Sequence, residues 1–106
     1  MSHTINQFPT SFYVTCDEIL KYELSATQAL TLGYLRLKSP IAESLQKLGS
    51  RLGCSRKLME RNTKKLESLN LVYIDRSGNP LKGETNIYWA LTADGEKVET
   101  GHSQKK

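Results

Sequence analysis

The sequence predicts an α+β domain in which a bundle of four short helices leads into a C-terminal two-stranded β-hairpin. Three observations carry that prediction. Apolar residues recur at three-to-four spacing as far as Leu69 and alternate beyond it, in LVYIDR (Leu71 to Arg76) and NIYWALT (Asn86 to Thr92). Two stretches, T-C-D-E from Thr15 and S-A-T-Q from Ser25, have the capping-box pattern that opens helices. The intervening SGNPLKGET is rich in turn formers and too long for a tight hairpin, so the hairpin should carry an extended tip. Helices followed by strands, rather than alternating with them, mark the α+β class.

In chain order, SFYV (Ser11 to Val14) fits a short extended segment. Thr15 and Glu18 open a helix from Cys16 to about Tyr22. Ser25 and Gln28 open a second, from Ala26 to about Lys38, whose apolar residues are Ala26, Ala29, Leu30, Leu32, Tyr34, Leu35 and Leu37. It reads as a buried amphipathic helix, with Arg36 and Lys38 suited to the negative end of its dipole. Pro40 stops it, and Ile41 is expected to pair briefly as a strand. Ser44 caps a third helix, Leu45 to Leu52, with Leu45, Leu48 and Leu52 inward and Gly53 at its end. Ser55 caps the fourth, Arg56 to Leu69, with Met59, Leu66 and Leu69 inward. After the hairpin, Thr92 is suited to cap a last turn through ADGEKV.

A chain of 106 residues makes one domain with a modest core, ordered over about residues 11–98 with loose tails. No apolar run approaches the roughly 18 residues that span a bilayer, and MSHTINQF lacks the pattern of a secretory leader. A cytoplasmic protein is expected. Cys16 and Cys54 sit far apart without metal-ligand spacing and are expected as free thiols, each a small buried apolar residue. Catalysis is not expected. His3 and His102 both fall in the tails, there is no glycine-rich phosphate loop, and no pair of carboxylates occupies a plausible cleft. The same shortage of ligands speaks against a metal, and no cofactor is expected.

The net charge is +4. Between Ser55 and Lys65 stand Arg56, Lys57, Arg61, Lys64 and Lys65 against Glu60 alone, so this stretch by itself equals the excess of the whole chain. Charge concentrated on one element is an electrostatic footprint for an anionic partner. The same stretch follows a second pattern. Two helices meeting steeply through a short turn need a small residue where their backbones approach, a glycine in the turn, and an apolar residue pointing back. Gly49, Gly53 and Met59 are spaced for those roles, which is the spacing of a helix-turn-helix.

Where the fourth helix hands over to the first strand the chain reads KLESLNLV, and after the hairpin it reads IYWALTADG (Ile87 to Gly95). Here the sequence resembles winged helix-turn-helix domains, which commonly read kLe.lGlv and Y.LT..G at these places. The likeness covers Ser44 to Val98, and Ser25 to Lys38 fits the preceding helix of the class. Two departures stand out. Asn70 replaces the usual glycine, a position Asn can fill in the left-handed conformation. Asn62 and Thr63 occupy positions where at least one larger apolar residue is usual.

The resemblance implies double-stranded DNA as partner, with the fourth helix in the major groove. Ser55, Arg56, Lys57 and Glu60, early in that helix, are the expected base-reading residues. Arginine or lysine donates to guanine O6 and N7, and Glu60 can accept from a cytosine amino group. Arg61, Lys64 and Lys65 are expected on phosphates, with Ser50 and Arg51 adding a contact from the preceding helix. Arg76 and Lys82, flanking the wing tip, are expected on the backbone or minor groove. Glu60 has a plainer alternative in an i,i+4 pair with Lys64. Tyr73, Tyr88 and Trp89 are expected to pack the hairpin rather than stack on bases.

The implied function is sequence-specific DNA binding by a transcription regulator. Two alternatives stay open: a plasmid or phage replication-initiation or partition-site protein, and a winged helix used for protein contact. The lead-in YVTCDEILKYELSATQALTLGYL loosely resembles that of replication-initiator winged helices. A homodimer on a two-fold site is expected, joined through Phe8 to Tyr22 and the first long helix.

Overall fold

In the computed structural model, which describes residues 14–100, every helix cap read from the sequence is made. The Thr15 hydroxyl accepts from the Glu18 amide and the Glu18 carboxylate accepts from the Thr15 amide, each at 3.1 Å, opening α1 (Cys16–Tyr22). Ser25 and Gln28 repeat the exchange at the start of α2 (Ala26–Lys38). Ser44 and Ser55 each accept from an amide three residues on, at the heads of α3 (Leu45–Leu52) and α4 (Arg56–Ser68). Each cap satisfies an N-terminal amide that the helix itself leaves free, a purely local transaction. β1 (Val72–Asp75) and β2 (Ile87–Ala90) follow, so the α+β order holds: four helices, then a two-stranded antiparallel sheet. The strands are shorter than the alternating runs, and α4 stops at Ser68 with Leu69 as its cap. Apart from Val14, the expected extended segment at 11–14 lies outside the described residues, as do His3, His102 and both tails.

The sheet pairs Val72 with Ala90, Tyr73 with Trp89, Ile74 with Tyr88 and Asp75 with Ile87. Because strand side chains alternate, Val72, Ile74, Tyr88 and Ala90 share the inner face, and all four are buried. They join Leu32, Leu35, Leu48, Met59 and Leu66 in one core. Removing a side chain of this kind from water stabilises the fold by about 1.5–3 kcal/mol. Ile41 exchanges both backbone hydrogen bonds with Tyr88, at 2.9 and 2.8 Å, so β2 runs between β1 and a one-residue bridge, as expected of Ile41. Thr92 accepts from the amides of Asp94 and Glu96 at 3.2 and 3.1 Å, and the chain turns back until Val98 donates to the Ala90 carbonyl at 2.8 Å.

Two expectations need correction. On α2, Leu32 and Leu35 are buried, but Ala26, Leu30 and Leu37 are exposed while Thr31 and Arg36 take inward positions. This helix is apolar nearly all round and packs on α4 and β2 from one side, so periodicity could not select the inner face. Its buried polar groups are satisfied: the Thr31 hydroxyl donates to the Thr27 carbonyl at 2.7 Å, and Arg36 donates to both Glu18 oxygens at 2.9 and 2.7 Å. That ion pair fastens α1 to α2. Cys16 is exposed rather than buried, being the first residue of a helix with no fully buried position, and Cys54 is half-buried; both are free thiols. Ser39, the residue after α2, carried no signal in the sequence. Its buried hydroxyl donates to the Val98 carbonyl at 2.6 Å and accepts from the Ala90 amide at 2.9 Å, joining the end of α2 to β2 and the returning chain.

Candidate functional site

The turn between α3 and α4 sets what α4 can present. Gly53 adopts φ 73°, a left-handed conformation that glycine takes without a steric penalty. The Cys54 amide donates to the Gly49 carbonyl at 2.8 Å, which closes the turn against α3. A Cβ on Gly49 would overlap the Cys54 carbonyl oxygen and stand 3.2 Å from the Met59 Cγ. Met59 is fully buried and points back to this contact. The three spaced residues therefore have the roles their spacing suggested: close approach, reversal and anchor.

With Met59, Asn62, Thr63 and Leu66 buried, the outward side of α4 follows from its geometry at about 100° per residue. Lys57, Arg61 and Lys64 lie on the side opposite the core. Arg56 and Glu60 stand on one flank, toward the hairpin. Lys65 stands on the other and is half-buried. Glu60 lies between two cations, 3.3 Å from the Lys64 Nζ and 3.8 Å from an Arg56 guanidinium nitrogen. The plainer reading of Glu60 is thus realised. Among the described residues Lys57, Arg61, Lys65 and Lys82 make no ion pair. Ser55 is engaged as the α4 cap, accepting from the Leu58 amide at 3.1 Å.

The peripheral arginines are differently placed. Arg51 donates to both oxygens of Glu43, at 2.9 and 2.7 Å, and Arg76 donates to both oxygens of Glu67, at 2.7 and 2.9 Å. These hydrogen bonds hold the Glu43 and Glu67 carboxyls below the usual carboxylate range. Each guanidinium commits two of its five N–H donors to a carboxylate that also offsets its charge, which weakens its pull on any other anion. Sequence reasoning missed both partners because Glu43 and Arg51 are eight residues apart, and Glu67 and Arg76 nine, spacings with no local signal. Ser50 is exposed on α3 beside Arg51.

Lys82 ends a short 3-10 turn, Pro80–Lys82, at the hairpin tip. The Asn79 side chain accepts from the Leu81 amide at 2.9 Å, and the Asn79 amide donates to the Glu84 carboxylate at 2.7 Å, so the tip is structured. It displays Leu81 almost fully to solvent, at 95%. A cleft of about 270 Å³ opens between the head of α3, the start of α4 and the hairpin, lined by Ser44, Gln46, Arg56, Glu84, Asn86 and Tyr88 among others. On the outer face of the sheet, the Lys97 ammonium lies 4.7 Å from the Tyr73 ring centroid and 5.0 Å from that of Trp89. The hairpin aromatics are occupied by packing: this cation–π clasp outside, and Tyr88 inside, where burial pushes its phenol above the ordinary 10.0.

Both departures from the winged-helix pattern have structural answers. Asn70 sits at φ 64°, and the Leu71 amide donates to the Leu66 carbonyl at 3.0 Å, ending α4 as a glycine would. Asn62 and Thr63 are core residues. Asn62 donates across to the Thr27 and Thr31 hydroxyls on α2 at 3.2 and 3.4 Å, and Thr63 donates within α4 to the Met59 and Glu60 carbonyls at 3.0 and 3.1 Å. Compared with protein-family profiles, with curated protein sequences and with solved structures, the chain has no significant match.

Proposed function

We propose that this domain is a winged helix-turn-helix that binds double-stranded DNA sequence-specifically, with α4 entering the major groove and the β1–β2 hairpin as its wing. One observation carries the reading. The outward side of α4 holds a ridge of cations, Lys57, Arg61 and Lys64, on a helix whose opposite side is buried and whose start is pinned by the Gly49–Cys54 turn. Lysine is depleted at the centres of protein interfaces, which weighs against the reading as a protein-contact module. Lys57 and Arg61, having no internal ion pair, are the foremost contacts. Arg56 and Lys64 contribute with Glu60 as their local anion. Arg51 and Arg76 come last, because a carboxylate already offsets the charge of each.

Within DNA binding we favour a transcription regulator, with plasmid or phage replication initiation and partition as the alternative. Apolar side chains exposed on α1 and α2 (Leu20, Leu30 and Leu37) support the homodimer that a two-fold site calls for. Among the described residues no helix is long and apolar enough to cross a membrane.

The test is fluorescence anisotropy on labelled duplex DNA over a range of salt. The logarithm of affinity should fall with the logarithm of salt by about 0.9 per phosphate contacted. A flat response would sink the DNA reading and favour protein contact. Selection of bound duplexes from a random pool then yields the site, and its position, upstream of genes or in repeats beside an origin, separates regulation from replication and partition.

A further inference from the structure

α4 packs on α2, and Leu32, Leu35, Met59 and Leu66 of these two helices belong to one core, held by an attraction that has no directional preference. Apolar burial of this kind rewards removal from water and carries no hydrogen-bond geometry of its own. Asn62 is different. It is 1% exposed, and its amide crosses to the Thr27 hydroxyl at 3.2 Å and the Thr31 hydroxyl at 3.4 Å. The Thr31 proton is already donated to the Thr27 carbonyl at 2.7 Å, so that hydroxyl is left to act as an acceptor. Donor and acceptors therefore couple the rotational setting of α4 to α2, because a roll of α4 moves the amide away from hydroxyls that stay with α2. Thr63, equally buried, satisfies its hydroxyl within its own helix and sets no such constraint.

Roll is the coordinate that matters to the outer ridge. Arg61 is the immediate neighbour of Asn62, and Lys57 and Lys64 lie on the same outward side. A roll of roughly 20° at a radius of about 6 Å carries a side chain by ~2 Å. Base-edge hydrogen bonds do not survive a displacement of that size, whereas contacts of flexible lysines with phosphates do.

We infer that Asn62, through Thr27 and Thr31, is a positioning residue that fixes the roll of α4 and thereby the sequence preference of the DNA-binding face. Its functional readout rests on the DNA-binding reading, while its structural readout does not.

The experiment compares the full chain with Asn62→Leu, with Thr27→Val/Thr31→Val, and with the triple variant. Residual dipolar couplings measure the orientation of α4 relative to α2 without DNA. Binding to the best duplex from the random pool, and to single-base variants of it, measures preference. Leucine fills the site of Asn62 with an apolar side chain of similar size, and the valines keep the shape of the threonines, so folding is checked by melting each variant. All three should reorient α4 and lower discrimination between best and altered duplexes by about tenfold, with the salt slope unchanged. Because the three residues act as one device, the triple variant should lose no more than either partial one. Unchanged couplings in both partial variants would overturn the proposal. So would reoriented couplings with discrimination intact. If Asn62→Leu fails to fold, the threonine variant decides on the same criteria. Should the wild-type chain bind no duplex, the DNA reading fails by itself, and the couplings still decide whether Asn62 fixes the roll.

Discussion

Replacing Gly49 by alanine should destabilise the domain, and replacing Gly33 by alanine should stabilise it. Both glycines lie inside helices, where alanine is intrinsically better by about 0.5–1 kcal/mol. At Gly33 the nearest heavy atom to an added Cβ is the Val14 Cγ2 at 3.6 Å, ordinary van der Waals contact, so the intrinsic gain is kept. At Gly49 the added carbon would overlap the Cys54 carbonyl oxygen and crowd the Met59 Cγ at 3.2 Å. A methionine chain can bend aside. The carbonyl is backbone: it sits between Cys54, whose own amide is held by the Gly49 carbonyl, and Ser55, which caps α4, so moving it disturbs both. Overpacking against backbone costs about 1–3 kcal/mol. Set against the helical gain, the net loss for Gly49→Ala is about 1–2 kcal/mol. For a domain of this size that lowers Tm by roughly 5–15 °C, and Gly33→Ala raises it by a few degrees. Thermal melts followed by circular dichroism, with urea titrations to verify an unchanged m-value, measure both shifts. A Gly49→Ala variant melting at or above the wild type would refute the closed turn between α3 and α4.

Other outcomes follow from the ion pairs and the outer ridge. The Glu18 carboxyl is held below its ordinary 4.5 mainly by hydrogen bonding to Arg36. A depressed carboxylate contributes stability above its unfolded pKa and loses it as pH falls through the folded value. Tm should therefore be level from neutral pH down to about 5 and decline below 4.5. Glu18→Gln should melt lower at neutral pH, by about 1–2 kcal/mol of stability, with a shallower decline in acid. In duplex binding, Lys57→Ala and Arg61→Ala should weaken affinity more than Arg51→Ala and Arg76→Ala. Equal losses across the four would mean that the two bidentate pairs do not restrain their arginines. Glu60→Gln, which frees Arg56 and Lys64 from their shared anion, should raise affinity at low salt, read from the same anisotropy titrations.

The local features of this protein were legible in its sequence. Caps, helix stops, the change of period at Leu71 and the glycine spacing of the α3–α4 turn are interactions among residues within a few positions of each other. They therefore leave short-range signatures, and the helices begin where Thr15, Ser25, Ser44 and Ser55 place them. The composition of the candidate surface was legible for the same reason, since a run of cations on one helix is a one-dimensional fact.

What the sequence could not determine is which groups meet across the fold. Thr31 and Arg36 lie inward on α2 while Leu30 and Leu37 face water, because hydrogen bonds to Thr27 and Glu18 make the polar residues affordable there. The pairings Glu43–Arg51 and Glu67–Arg76 sorted the expected phosphate contacts into held and unheld cations. Asn62, an anomaly in one dimension, became a bridge between α2 and α4 once its partners, 31 and 35 residues away in the chain, were brought beside it. Pattern can show that a position is odd. Only the tertiary structure supplies the partner that satisfies a buried amide, because that partner is chosen by packing and not by sequence distance.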